Sequence, residues 1–365
     1  MISAKTVRRC WLLPVLASLL IGCSDEPDTT TSAVTLEGDI FGTFYQITVA
    51  DPLTEQQLEE IEQGVLDEMH DVDASMSTWR DDSELSAFNQ APLAQWQPIS
   101  DEFMEVLAIS QSVSQQSHGA FDVTVGSLVN LWSFGPEAEP EQIPDEAVLQ
   151  QRLAEVGMDA LEIDTDTAQA RRLRDVYVDL SGVAKGFATD EVAAFLDRQG
   201  IANYLVNLGG EVKVKGHRDG GDGLWRIGIE VPENGTPKAQ HVVGLDDISV
   251  ATSGDYRHYF EVDGKRYSHT IDPRTGRPIT HRLASVSVVH PSNAWADAWA
   301  TAISVMGERE GMQAAIAAEL PVVMLVRQGE GWESWVSPAF VERFGSDVVD
   351  KLGLKVVSQD DIPLE

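Results

Sequence analysis

Ten consecutive residues, His269-Thr270-Ile271-Asp272-Pro273-Arg274-Thr275-Gly276-Arg277-Pro278, bring an imidazole, a carboxylate, hydroxyls and two guanidinium groups into one short stretch. An imidazole titrates near neutrality, so His269 is a candidate general base. Asp272 is close enough in sequence to orient that ring or to stand near a metal ion. Pro273 fixes its own φ and biases Asp272 toward extended geometry, and Gly276 admits a conformation that other residues resist. The pattern therefore predicts a stiffened polar turn. Asp-Pro-x-Thr-Gly is equally a competent surface turn, so this segment alone does not define a site.

Two other groups could complete one. Tyr177-Val178-Asp179-Leu180 reads as a buried strand that ends in Ser181-Gly182-Val183-Ala184-Lys185-Gly186, with a helix continuing to Gly200. Small residues at a helix start offer backbone N–H groups to an anion, and Lys185 is a natural phosphate donor there. The spacing is neither a dinucleotide-binding glycine fingerprint nor a P-loop. Further on, Ser292 or Asn293 caps a helix that carries Asp297 and Thr301 at i and i+4, hence on one face. That pair is either a solvated helix face or part of the oxygen shell of a hard cation. The formal net charge of −33 excludes nucleic-acid binding through a basic surface. A chain this acidic would bind phosphates only with a cation or local donors.

The elements that must hold these groups are legible in outline. Val34 to Ala50 alternates like a β segment, with Gly42 at a bulge or close approach. Thr54-Glu55-Gln56-Gln57 is a capping box opening a helix whose Leu58, Ile61, Val65, Met69 and Val72 form one apolar stripe. Residues 75–85 read as a polar loop in which Trp79, taken alone, is a packing anchor. A helix over Asp101 to Gln116 ends at His118-Gly119, followed by Ala120-Phe121-Asp122. Residues 135–146, rich in proline and acids, read as an exposed excursion. The Gly209-Gly210 pair reads as a bulge within one strand, and Asp263-Gly264 as a hairpin turn leading into His269. Strands and helices mix without regular βαβ alternation, which predicts an α+β fold with largely antiparallel sheets and packed helices.

The N-terminus carries Lys5, Arg8 and Arg9 and then a short apolar run from Trp11 to Ile21, the pattern of an export signal. The run ends in Leu20-Ile21-Gly22-Cys23, similar to a lipobox, which makes Cys23 the expected lipidated first residue. The other cysteine, Cys10, lies inside the signal, so a processed chain has no thiol for a disulfide or a nucleophile. The expected organisation is a signal over 1–22, a flexible tether over 23–34, one domain over 35–345 and a tail over 346–365. The expected location is the cell envelope, lipid-anchored on the periplasmic side.

Taken together, Val178-Asp179-Leu180-Ser181-Gly182-Val183-Ala184-Lys185-Gly186, Asn207-Leu208-Gly209-Gly210, Thr252-Ser253-Gly254, His269-Thr270-Ile271-Asp272-Pro273-Arg274-Thr275-Gly276 and Ala296-Asp297-Ala298-Trp299-Ala300-Thr301 resemble the bacterial flavin transferases of the ApbE type, the FAD:protein FMN transferases. The resemblance implies cleavage of the FAD pyrophosphate, transfer of FMN to a threonine of an acceptor protein, and release of AMP. Membrane redox-pump subunits are the acceptors it points to. It implies Mg²⁺ held by Gly182, Asp297 and Thr301, and FAD contacts at Phe41, Trp79, Ala120, Phe121, Asp122, Asp179, Lys185 and Ile271. Phe41 stands where relatives carry methionine, and Ala300 where some carry a further acid. It leaves open whether His269 is the base toward the threonine hydroxyl or a phosphate ligand. An FAD pyrophosphatase and a non-catalytic flavin-binding lipoprotein are the alternative readings.

Overall fold

A computed structural model of the chain describes residues 33–136, 143–230, 239–255, 259–329 and 331–362. The expected signal, Cys23, nearly all of the tether and the middle of the 135–146 excursion lie outside the described residues. A nine-stranded sheet runs through the molecule in the spatial order Val34–Ile40, Thr43–Val49, Tyr204–Leu208, Glu211–Lys215, Ile248–Gly254, Leu283–His290, Val322–Gln328, Gly331–Val336 and Lys355–Val356. All its pairings are antiparallel except that of Lys355–Val356 with Gly331–Val336. This is the expected α+β arrangement. Among the described residues no helix is long and apolar enough to cross a membrane.

Period-two alternation gives the sheet two apolar faces. Ile47, Val206, Leu208, Val286 and Val288 point toward the helices Glu55–Met76, Asp101–Gln116, Ala184–Arg198 and Asn293–Ala317 and form the main core. Val212, Val214, Val250 and Val289 point the other way, under the hairpin Trp225–Glu230/Ala239–Leu245 and the helix Pro338–Phe344. The capping box at Thr54 is formed, with Gln57 N donating to Thr54 Oγ1 at 3.2 Å and Thr54 N donating to Gln57 Oε1 at 3.0 Å. The helix Asp101–Gln116 has the expected bounds. The helix Glu84–Gln90, capped by Ser83, lies at the end of what reads as a polar loop, where its short apolar pattern gives little period to detect.

Glycines supply two corrections of one kind. Phe41-Gly42 and Gly209-Gly210 are two-residue hairpin turns between paired strands rather than bulges in one strand. Phe41 has φ 53° and Gly42 φ 69°, and the second pair has φ 64° and 111°. Positive φ at both central residues matches the twist of antiparallel strands, which a bulge does not need. Tyr177 to Leu180 is an extended segment with a single bridge, Val125 to Tyr177, not a strand. Its backbone instead bonds to the 123–126 loop, through Asp179 N to Val123 O at 2.7 Å and Gly126 N to Tyr177 O at 3.1 Å.

The C-terminal segment set apart in sequence as a tail is folded as far as Ile362. It forms the helix Ser346–Leu352 and the sheet-edge strand Lys355–Val356, and buries Val349, Leu354, Val357 and Ile362. Its apolar residues supply the reason, since burial of each is favourable.

Gly186, on the helix Ala184–Arg198, faces the start of Asn293–Ala317. A Cβ there would sit 2.5 Å from the Asn293 carbonyl oxygen and 2.8 Å from Asp297 Cβ. Backbone cannot yield as a side-chain tip does, so Gly186→Ala should cost about 3 kcal/mol or more. Urea denaturation followed by circular dichroism would measure it, and a loss under about 1 kcal/mol would contradict the close packing.

Candidate active site

A cavity of about 960 Å³ opens at one end of the sheet, where three turns and two helix starts converge. The hairpin tip Phe41–Phe44 and Thr78-Trp79 supply one side, and Ala120 to Val123 another. Asp179, Gly182 and Lys185 line it from the start of the helix Ala184–Arg198, and Asp297 and Thr301 from Asn293–Ala317. His269, Thr270, Ile271 and Pro273 form a further wall. Twelve of the thirteen candidate catalytic, flavin and metal residues thus fall together: Phe41, Trp79, Ala120, Phe121, Asp122, Asp179, Gly182, Lys185, His269, Ile271, Asp297 and Thr301.

Asp272 is the exception. Its carboxylate accepts from Arg274 N at 2.9 Å and from the Arg274 guanidinium at 3.0 and 3.1 Å, and it does not line the cavity. A carboxylate two residues before an arginine in a tight turn closes onto its own turn, and Asp272 does so here through Arg274. Arg274 also pairs with Glu310, and Arg277 with Glu146. The two guanidinium groups therefore tie the turn to neighbouring helices.

The turn is held from below. Trp132 is 1 % exposed and donates its indole N–H to the Gly276 carbonyl at 2.8 Å, with its ring stacked on Tyr267. Leu128, Leu149, Phe260 and Ile271 complete this small core. Gly276 has φ 69° there, as the turn requires. Trp132→Phe keeps most of the apolar area but orphans the Gly276 carbonyl, so it should cost about 1–3 kcal/mol. It should also lower turnover by letting the His269 wall drift. Thermal unfolding together with the rate on the same sample tests both, and wild-type values for each would refute the anchoring role.

Polar contacts sort the remaining candidates. Asp122 spends its carboxylate on its own loop, accepting from Thr124 N at 2.8 Å, Thr124 Oγ1 at 2.6 Å and Met158 N at 3.1 Å. Burial pushes its pKa up against the pull of those hydrogen bonds. Only its backbone and Cβ remain for a ligand. Asp179 accepts from Ser181 N at 2.9 Å and Ser181 Oγ at 2.5 Å, which shapes the turn around Gly182. Phe121 is 3 % exposed and belongs to the main core, whereas Trp79 is 70 % exposed at the rim of the cavity. An indole left in water has not been placed for packing, so the anchor reading of Trp79 fails.

Lys185 departs from its expected role as a free phosphate donor. Its ammonium contacts Glu211 Oε1 and stands 3.6 Å from Asp297 Oδ2. Burial opposes the positive charge, but Asp297 and Glu211 outweigh it, so the ammonium holds its proton more tightly than an ordinary lysine. Burial raises Glu211 above the usual carboxylate range despite Lys185. Glu211 also accepts weakly from Thr252 N at 3.4 Å, and Asp297 accepts from Gly186 N at 3.0 Å. Sequence reasoning assigned Glu211 nothing. The available signal was an acid immediately after a Gly-Gly turn, at the start of an otherwise apolar strand. Ser253, whose Oγ lies 3.4 Å from Thr301 Oγ1, and Arg226 at the rim were also missed.

The oxygen donors fit a hard cation. A Cβ on Gly182 would lie 3.3 Å from Thr301 Oγ1, so the glycine backbone and this hydroxyl are neighbours, with Asp297 one helical turn away. One carboxylate, one hydroxyl and one backbone carbonyl leave several positions for substrate phosphates and water, the coordination that Mg²⁺ favours.

The ApbE family model matches residues 41–324, a span that begins at Phe41 and contains every cavity residue named above. This chain belongs to the ApbE family. It is 42% identical over 339 residues to the FAD:protein FMN transferase of Vibrio cholerae serotype O1, covering 91% of this chain and 98% of that protein. Identity to the FAD:protein FMN transferase of Escherichia coli K12 is 36% over 333 residues, 89% of this chain and 94% of that one. The solved structure of the flavin transferase ApbE from Vibrio cholerae superposes with a TM-score of 0.78 at 39% identity, covering 87% of this chain and all of that chain. The ApbE architecture accounts for the α+β fold described above.

Proposed function

We propose that this ApbE-family chain is a FAD:protein FMN transferase that uses Mg²⁺ and attaches FMN to a threonine of an acceptor protein. The observation that carries this reading is the meeting, in one cavity, of the Gly182–Asp297–Thr301 oxygen set with His269 and the aromatic residues Phe121 and Trp79. The acceptor hydroxyl oxygen attacks the FMN-side phosphorus, the bridging P–O bond breaks, and AMP leaves with that oxygen. His269 takes the hydroxyl proton. Asp297, Thr301 and the Gly182 carbonyl would hold Mg²⁺, which supplies charge neutralisation at the pyrophosphate oxygens. Cavity charge favours that neutralisation, because Lys185 is already matched by Glu211 and Asp297 and the other lining cation among the described residues, Arg226, lies at the rim. Trp79, exposed at the rim, offers flat apolar surface to a ring system of FAD, with the buried Phe121 also in the cavity wall.

The apolar N-terminal run ending at Leu20-Ile21-Gly22-Cys23 supports an exported lipoprotein held at the membrane through Cys23, facing the periplasm. Acceptors reached from there would be envelope proteins, membrane redox-pump subunits among them. The test is incubation of the purified protein with FAD, MgCl₂ and a threonine-bearing acceptor, followed by a denaturing gel. A fluorescent acceptor band is expected. Free FMN and AMP with no labelled acceptor would make the protein an FAD pyrophosphatase, and unchanged FAD would leave only flavin binding.

A further inference from the structure

Glu211 is 2 % and Asp297 3 % exposed, and one ammonium, that of Lys185, lies between them. The other contacts of these acids are backbone N–H groups, Gly186 to Asp297 at 3.0 Å and Thr252 to Glu211 at 3.4 Å. With both acids ionised, two carboxylates against one ammonium leave one net negative charge at the cavity wall. Enclosed charge of that kind is tolerated only with compensation nearby. A divalent cation bound by Asp297 reverses the sum to one net positive charge, facing a pyrophosphate diester that carries two negative ones.

We propose that Lys185 is a resident counter-cation: it neutralises the buried Glu211–Asp297 pair in the metal-free protein and withdraws from Asp297 onto Glu211 when a divalent cation takes Asp297. The unequal distances are what permit this. The ammonium already touches Glu211 and stands farther, at 3.6 Å, from Asp297. It can release Asp297 without losing its main partner, and the four-carbon lysine stem has the freedom to follow. Glu211 is then the holding point that keeps the ammonium in the site instead of in the cation's place. Lys185 and Glu211 are positioning residues here, acting on the cation through Asp297. The inference rests on Asp297 being a cation ligand.

Mn²⁺ binding to the purified protein without FAD, read by electron paramagnetic resonance, separates the possibilities. Lys185→Met removes the competitor and should bind Mn²⁺ about tenfold more tightly than wild type, as expected for loss of a like charge a few ångströms away. Its thermal midpoint should be lower than wild type without metal and should rise more on adding MnCl₂. Glu211→Gln, which keeps shape and drives the ammonium onto Asp297, should bind Mn²⁺ about tenfold more weakly. Unchanged or weaker binding by Lys185→Met overturns the proposal. Should that variant not fold, unchanged or tighter binding by Glu211→Gln overturns it instead. Asp297→Asn tests the underlying reading separately: wild-type Mn²⁺ affinity in that variant would remove Asp297 as a ligand and the proposal with it, whatever the lysine variant does.

Discussion

Asp297→Asn is expected to lower FMN transfer by about a thousandfold or more while leaving the protein folded. Loss of a cation's charge stabilisation at a pyrophosphate amounts to several kcal/mol, and each ~1.4 kcal/mol is tenfold in rate. The asparagine oxygen can still accept from Gly186 N, and the side chain still fits against Gly186, where space is limiting. Folding need not suffer, because the neutralised position leaves Lys185 and Glu211 as a balanced pair. Labelling of an acceptor, followed by in-gel flavin fluorescence over time, gives the rate, and circular dichroism of the same preparation reports the fold. Excess MgCl₂ should not restore the rate, since the missing group is the only carboxylate in the proposed donor set. A rate within tenfold of wild type, with the fold intact, would eliminate Asp297 as the cation's anchor. By contrast, Thr301→Val removes a neutral donor and should be the milder change.

How much of this arrangement could be read before the structure depended on the distance over which each signal acts. Asp297 and Thr301 share a helix, so one period of 3.6 residues put them on a common face. The hairpin at Asp263-Gly264 and the capping box at Thr54 are equally local and took their expected form. The two glycine turns were misread because a Gly in a β pattern fits a bulge or a turn until the register is known, and register is a property of two strands. Lys185 illustrates the harder case. Its sequence neighbourhood describes a helix start that welcomes anions, but its partners Glu211 and Asp297 come from a hairpin and a distant helix. The packing of Gly186 against Asn293–Ala317 brings Asp297 to it, and the packing of Ala184–Arg198 on the strand Glu211–Lys215 brings Glu211. Asp272 lies apart from the cavity for the opposite reason. A local partner, Arg274, captured a carboxylate that the reading had assigned to a longer-range task.

His269→Ala should lower the rate of transfer by about 10²–10⁴, the usual worth of a positioned general base, with little change in the concentration of FAD needed for half-maximal rate. The structure gives the side chain two constraints. His269 follows the strand Lys265–Ser268 directly, and its ring meets Phe134 edge-on with centroids 6.3 Å apart. It lines the cavity in the same wall as Ile271 and Pro273, which Trp132 supports through Gly276. A side chain so placed could serve either as a base toward the acceptor hydroxyl or as a donor to a phosphate oxygen, and substitution by glutamine separates the two. Glutamine donates hydrogen bonds but takes up no proton at neutral pH. If His269 is the base, His269→Gln should be as slow as His269→Ala, with FAD affinity preserved in both. If it is a phosphate ligand, the alanine variant should bind FAD more weakly and the glutamine variant should recover part of the loss. The acceptor dependence adds an independent check, because a base acts only on the attacking group. Loss of FAD binding in His269→Ala, with rescue by glutamine, would therefore transfer His269 from the proton to the phosphate and leave the acceptor hydroxyl to be activated by another residue of the cavity.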